Sequence, residues 1–400
     1  MFKQLLSPTF SIIFFITILL SCGNDENKTA QRDKSEALTK NEQKSPSHEN
    51  FYKRLEGTIA GKPVVVHFSK FENKMFFNYY YVSQGIPIGL YANQENKLKG
   101  DSIELIEWDR QKKDFEERGD NKWHIVISEN GVSGIWIARD GKTTAAITLK
   151  ENYPSGSSLF NVVGKSDSYS IKFTTDTVAA NSYMMMMEPS DATNSKWFTE
   201  KIVENIWGDD QAASSSIQSV IEDETKSYFE EYKAEIDTMR MNRDLADSGS
   251  HFALNYENEI NANAIYNDNG FLVLDVGSYG YFGGAHGIQG STVLCYDMKE
   301  KKEMNLNDVI SIDSVTLQKI VEKNFRINSG LKPNQSLKEF LFENKLPAND
   351  NFYFTNKGLG FVYQPYEVAA YVYGIIYVFI PYTDLKAYLN PHFMQRMGLE

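Results

Sequence analysis

The sequence predicts an α+β protein: an N-terminal antiparallel β-meander domain, then a larger domain with helices packed on an antiparallel sheet. Three observations predict it. From Tyr52 to Glu151 short alternating or aromatic runs are separated by turn residues. From Ala212 to Met241 one apolar stripe recurs at helical spacing. Beyond it, strand-like runs and short helical patterns alternate toward the end of the chain.

The first residues are read as an address. Lys3 precedes an apolar run from Ile12 to Leu20, too short to span a bilayer comfortably. Leu19-Leu20-Ser21-Cys22 resembles a lipobox, so Cys22 is the expected lipidation site, its acyl chains (palmitate among them) holding the chain to a membrane. Residues 1–21 are then a lipoprotein signal peptide. Residues 22–50 lack aromatic side chains and are rich in Asn, Glu, Lys, Ser, Gln and Asp, which predicts a disordered tether. The expected location is the cell envelope, lipid-anchored at the outer membrane, facing the periplasm or the exterior.

Residues 51–151 read as a small β domain. "GTIAGKPVVVHFSKF" places a Gly-Lys-Pro turn before a valine-rich strand, and "KMFFNYYYV" and "GIPIGLYAN" follow as strands. In "DSIELIEWD", Ile103, Leu105 and Glu107 share one face. Turns at Glu129-Asn130-Gly131 and Asp140-Gly141 divide the next stretch into three strands. Trp123 and Trp136 are read as packing residues. His67 and His124 each lack the convergent donors a zinc site needs.

"ENYPSGSSLFNVVGKSDSYS" reads as a connector, with a second unit from residue 168. The four methionines of "NSYMMMMEPS" suit a strand buried on both faces. In the long helix Ile217, Ile221, Tyr228, Tyr232 and Ile236 form the buried stripe, beside solvated acids. Two strands flank a turn at Asn269-Gly270, and "STVLCYDM" supplies another that buries Cys295. A short strand enters Leu306-Asn307-Asp308, and helices follow at Val315 to Phe325 and in "SLKEFLFEN". A hairpin about Asn356-Lys357-Gly358 precedes a loop, a strand and a helix from near Thr383.

Composition narrows the function. With 13% aromatic residues, 23 Tyr and 25 Phe, the chain can build substantial cores, and a net charge of -12 disfavours a nucleic-acid partner. No serine elbow or His-Glu-x-x-His motif is present, so the residues favour binding over catalysis, with no metal and no cofactor expected.

The stretch "GGAHG" at residues 283–287, "YDMKEKKEMNLNDVI", "FYFTNKGLGFVYQPYEVAAYVYG" and "VFIPYTDLKAYL" resemble domain of unknown function 3298. The region before them resembles its companion, domain of unknown function 4163. The corresponding units are residues 168–281 and 282–390, expected to form one structural unit. The resemblance implies helices against an antiparallel sheet. It also implies extracellular recognition, since members include the lysozyme-sensing part of the anti-sigma factor RsiV and companions of a peptidoglycan deacetylase module. The expected function is therefore a lipid-anchored binding protein for a lysozyme-like protein or a peptidoglycan component. The alternatives are a cell-wall-modifying hydrolase using His286 and a nearby carboxylate, and a non-catalytic structural envelope protein.

Two loops hold the candidate residues. Gly283, Gly284 and Gly287 permit tight turns around His286. His286 either locks the loop or acts as a base if Asp275, Asp297 or Glu367 approaches. Pro365 stiffens a second loop that presents Tyr366 and Glu367, and Tyr371 and Tyr373 share a face if that segment is extended. The candidate binding residues are thus Tyr366, Glu367, Tyr371, Tyr373 and His286.

Overall fold

The computed structural model describes residues 50–92, 100–110, 121–208, 216–241 and 251–399. The expected leader, tether and Cys22 lie outside the described residues.

Eight antiparallel strands come first: β1 (Phe51–Ile59), β2 (Lys62–Phe71), β3 (Lys74–Tyr81), β4 (Ile88–Ala92), β5 (Ser102–Asp109), β6 (Lys122–Ser128), β7 (Gly131–Ile137) and β8 (Thr144–Glu151). They pair in sequence order, and β1 then pairs with β8, from Leu55 opposite Glu151 to Ile59 opposite Ile147. The expected open meander is therefore a closed barrel. Closure joins backbone groups nearly the whole domain apart, which local alternation does not encode. One glycine shows how close the seam is: a Cβ on Gly57 would lie 1.9 Å from the Thr148 carbonyl oxygen.

Leu55, Val66, Phe68, Phe77, Leu105, Trp123 and Leu149 fill the barrel. Glu107 points in among them, as its shared face with Ile103 and Leu105 predicts. Its carboxylate accepts hydrogen bonds from Tyr79 Oη at 2.6 Å, Trp123 Nε1 at 2.8 Å, Trp136 Nε1 at 2.7 Å and Asn121 Nδ2 at 2.8 Å. Four neutral donors thus replace the water the charge has lost. Both tryptophans serve the barrel interior.

A six-stranded sheet follows, in the order β14-β13-β12-β11-β10-β9. Its strands are β9 (Phe160–Lys172), β10 (Thr177–Pro189), β11 (Tyr256–Asp268), β12 (Phe271–Tyr281), β13 (Ile288–Asp297) and β14 (Lys302–Glu303). β9 occupies much of the stretch expected as a connector. The sheet is mixed, not antiparallel as expected: β10 and β11 are parallel, from Ala180 opposite Tyr256 to Met185 opposite Asn261. A parallel pair needs a crossover. Helices α1 (Ala192–Trp207) and α2 (Ile217–Met241) supply it. The sequence reading did not include α1. Asp191 caps it, accepting from the Asn194 N–H at 3.1 Å.

Phe198, Ile202 and Val203 of α1, with Ile217, Val220 and Ile221 of α2, cover one face of this sheet over Met184, Leu272, Leu274 and Leu294. All four consecutive methionines, Met184 to Met187, are buried. The other face of β12 and β13, including Phe271, Val273 and Cys295, packs on the C-terminal layer. That layer holds α3 (Leu306–Val309), α4 (Ser314–Asn328), a three-stranded sheet of β15 (Phe352–Phe354), β16 (Gly358–Tyr363) and β17 (Ile376–Pro381), then α5 (Tyr382–Leu385) and α6 (Pro391–Met397). The expected short strand entering Leu306 is β14, which ends at Glu303, and Leu306–Val309 is the short helix α3; the expected helix in "SLKEFLFEN" contains only a 3-10 turn, Leu337–Glu339.

The barrel is fastened to the sheet through Arg54. Its side chain is 1% exposed and donates to Asn267 O at 3.0 Å, Asn152 O at 2.9 Å, Glu56 Oε1 at 2.6 Å and Asp268 Oδ2 at 3.3 Å. Beside it, Asn267 Nδ2 donates to Tyr52 Oη at 3.2 Å, which is 2.9 Å from His67 Nδ1. Burial, and then the Arg54 charge, hold His67 well below its ordinary range, so it stays neutral.

Two outcomes follow from these buried charges. Glu107→Gln sets an amide N–H₂ against the surrounding donors, and urea unfolding should show a loss of about 1–3 kcal/mol. Arg54→Met strands two carbonyls and two carboxylates, and should remove about 3–5 kcal/mol while separating barrel unfolding from sheet unfolding.

Candidate functional site

One end of the six-stranded sheet gathers the polar features. There β9 ends, β10 and β11 begin, β12 ends and β13 begins. The turn between β9 and β10 carries Asp176, and the 3-10 turn Phe252–Leu254 that leads into β11 is preceded by His251. His251 Nδ1 lies 2.8 Å from Asp176 Oδ1, and the His251 backbone N–H donates to Asp176 Oδ2 at 3.0 Å. The imidazole is buried and stacks on Phe173 at 3.8 Å between centroids, with planes 17° apart. The Arg240 guanidinium lies 4.3 Å from the same Phe173 ring and donates to Lys172 O at 3.1 Å.

This arrangement has a definite chemical meaning. A carboxylate at Nδ1 keeps the proton there and fixes the ring plane, which makes Nε2 the basic atom. It also stabilises the imidazolium that forms when Nε2 takes a proton. The sequence reading singled out neither residue. They are 75 positions apart, and neither stands in a recognisable motif.

The glycine-histidine loop sits against the same segment. Gly283 and Gly284 have φ of 84° and 92°, a region only glycine enters freely. A Cβ on Gly283 would also meet Ala253 O at 3.2 Å, two residues beyond His251. Gly287 is constrained differently: a Cβ there would lie 2.4 Å from Tyr279 Oη. His286 Nδ1 donates to Gly287 O at 2.9 Å, and Tyr371 Oη donates to the same carbonyl at 2.6 Å. The His286 and Tyr371 rings stack, with centroids 4.1 Å apart and planes 23° apart.

None of the carboxylates weighed as a partner for His286 serves it. Asp275 binds Arg110 at 2.6 Å and accepts from Ser291 Oγ at 2.6 Å. Asp297 pairs with Arg396. Glu367 accepts from the Gln364 N–H at 2.7 Å and from Asn349 Nδ2 at 2.9 Å, so it braces its own turn. Tyr366 occupies the third position of that turn with φ 67°, after Pro365, and its ring lies 5.5 Å from Tyr371. Tyr371 and Tyr373 belong to a 3-10 turn, not an extended segment, so they do not share a face. Tyr373 packs toward Phe340 at 6.1 Å.

The structure thus brings His286, Tyr366 and Tyr371 together and leaves Glu367 and Tyr373 with internal partners. Burial, with Glu303 adding to it, pushes the Cys295 thiol well up, away from thiolate chemistry. Among the described residues, no three His, Cys, Asp or Glu side chains converge as a metal site would require.

Residues 307–383 match the family model "Protein of unknown function (DUF3298)". Residues 203–289 match the model "Deacetylase PdaC". No curated protein sequence matches the chain. A solved structure of a DUF3298 family member from Bacteroides fragilis is similar at 18% identity and a TM-score of 0.54, covering 61% of this chain and 99% of that one. A DUF3298 family protein from Pseudomonas aeruginosa is similar at 15% identity and a TM-score of 0.39, covering 58% of this chain and 96% of that one.

These matches correct the sequence reading. The region before the C-terminal one matches the deacetylase model, not domain of unknown function 4163. None of the matches supports a lipoprotein, a palmitate anchor or an RsiV-like lysozyme-binding protein. The deacetylase match and the pairing of the buried His251 imidazole with Asp176 point toward catalysis, which overturns the preference for a non-catalytic binding role.

The pair has a testable pH signature. The His251 ring hydrogen bond, and then the His251 backbone N–H, hold Asp176 below its ordinary value of 3.8. A depressed carboxylate favours the folded state fully above that ordinary value, and the contribution is lost as pH falls through the depressed one. After correction for intrinsic exchange, the His251 and Leu254 amides should be protected above about pH 4 and lose protection below it. Asp176→Asn should exchange equally fast on both sides.

Proposed function

We propose that this protein is a hydrolase of the deacetylase type, acting on an N-acylated polysaccharide of the cell envelope. The observation that carries the proposal is the carboxylate-held imidazole of His251, which lies inside the region matching the deacetylase model. In this reading His251 Nε2 accepts a proton from water as the oxygen attacks the amide carbonyl carbon. Asp176 stabilises the resulting imidazolium. The proton passes to the departing nitrogen, the C–N bond breaks, and the products are a carboxylic acid and an amine. The envelope location expected from the N-terminal residues supplies the setting.

The test is release of acetate from an N-acetylated oligosaccharide by the full chain, with the amine product counted in parallel. His251→Gln should lower the rate by about 10²–10⁴, the usual range for losing a general base. Asp176→Asn should lower kcat more than it alters KM, because Asp176 orients the base without touching substrate. Release that is unchanged in both variants, or absent in the unaltered protein, refutes the reading.

A further inference from the structure

Tyr366 is the residue that the packing does not account for. Positive φ is a genuine outlier for a bulky side chain, and it strains the backbone. Burial does not offset it: Tyr366 is 54% exposed. Among the described residues its hydroxyl has no hydrogen-bond partner. The surrounding turn nevertheless holds it firmly. Pro365 restricts the preceding backbone, the Glu367 N–H donates to Gln364 O at 3.0 Å, and Gln364 Nε2 donates to Ser291 O at 2.7 Å on β13. A glycine would satisfy the same turn without strain.

What the strain secures is the position of an aromatic ring. Tyr366 stands 5.5 Å from Tyr371 with planes 31° apart, and Tyr371 is stacked on His286. The two hydrogen bonds to Gly287 O lock the second and third rings. The bond from His286 Nδ1 leaves Nε2 as the acceptor of the neutral ring. The result is an ordered run of three rings in which His286 covers Tyr371 and Tyr366 stands exposed at the end, with a phenol hydroxyl and an imidazole nitrogen at its margins. The loop that carries His286 starts close to the segment after His251, where a Cβ on Gly283 would lie 3.2 Å from Ala253 O.

We infer that the exposed ring of Tyr366, backed by Tyr371 and His286, is a stacking platform for a pyranose ring of the polysaccharide. The inference rests on the polysaccharide reading above and names how that substrate is held. The apolar C–H face of a sugar lies on an aromatic ring, while its hydroxyl and acetamido groups reach the polar margins. An aromatic surface fixed in advance loses little entropy on binding.

Tyr366→Gly is the informative variant, because it relieves the backbone strain while deleting the ring, so a binding defect is not a folding defect. The probe is a β-1,4-linked N-acetylglucosamine tetramer, titrated into the full chain by calorimetry. The unaltered protein should bind it, and Tyr366→Gly should bind about tenfold more weakly while unfolding at the same or a higher temperature. His251→Gln should bind as the unaltered protein does. In the acetate-release assay Tyr366→Gly should raise KM with kcat nearly unchanged. Equal binding by Tyr366→Gly, or no binding by the unaltered protein, overturns the platform. Ring-dependent binding without acetate release sustains the platform and sinks the hydrolase reading, so the two fail separately.

Discussion

The buried guanidinium of Arg54 is the interaction on which the arrangement of this protein depends. It leaves β1 of the barrel and reaches the segment after β8 and the end of β11 at once. A charge removed from water is tolerable only when every donor finds an acceptor. Those acceptors come from two stretches far from Arg54 in the chain, so the charge is satisfied only when barrel and sheet are docked. Apolar contacts alone would let the two surfaces slide. The fork geometry of the guanidinium gives them a register.

Buried polar groups here divide into two kinds. Glu107 is saturated by four neutral donors inside the barrel, and nothing about it invites a reaction. The His251–Asp176 pair lies where strands end and turns begin, with one imidazole nitrogen committed to the carboxylate. A saturated group specifies a fold. A carboxylate-held imidazole at a sheet end lies where loops can be remodelled without breaking the ladder beneath.

The parallel pair of β10 and β11 explains why the site forms where it does. The crossover through α1 and α2 returns the chain to the end of the sheet at which β10 began. Asp176 precedes β10 and His251 precedes β11, so parallel strands bring the two starts together. An antiparallel pairing would have placed them at opposite ends. The strained Tyr366 and the glycines of the His286 loop lie along the same part of the sheet, where β12 ends and β13 begins.

By itself the sequence determined the elements whose cause is local. Alternation marked β5, the apolar stripe marked α2, the four methionines marked a doubly buried strand, and Asn269-Gly270 marked a turn whose two residues both have positive φ. Those signals act within a few residues, where side-chain spacing and allowed dihedrals decide the outcome. It also marked His286, Tyr366 and Tyr371 as notable, without showing that they meet. Only the tertiary structure decided barrel closure, the parallel pairing and the union of His251 with Asp176. Each joins backbone or side-chain groups far apart in the chain. No residue type announces such a partner, because the partner is chosen by which packing buries the most apolar surface while leaving the fewest polar groups unpaired.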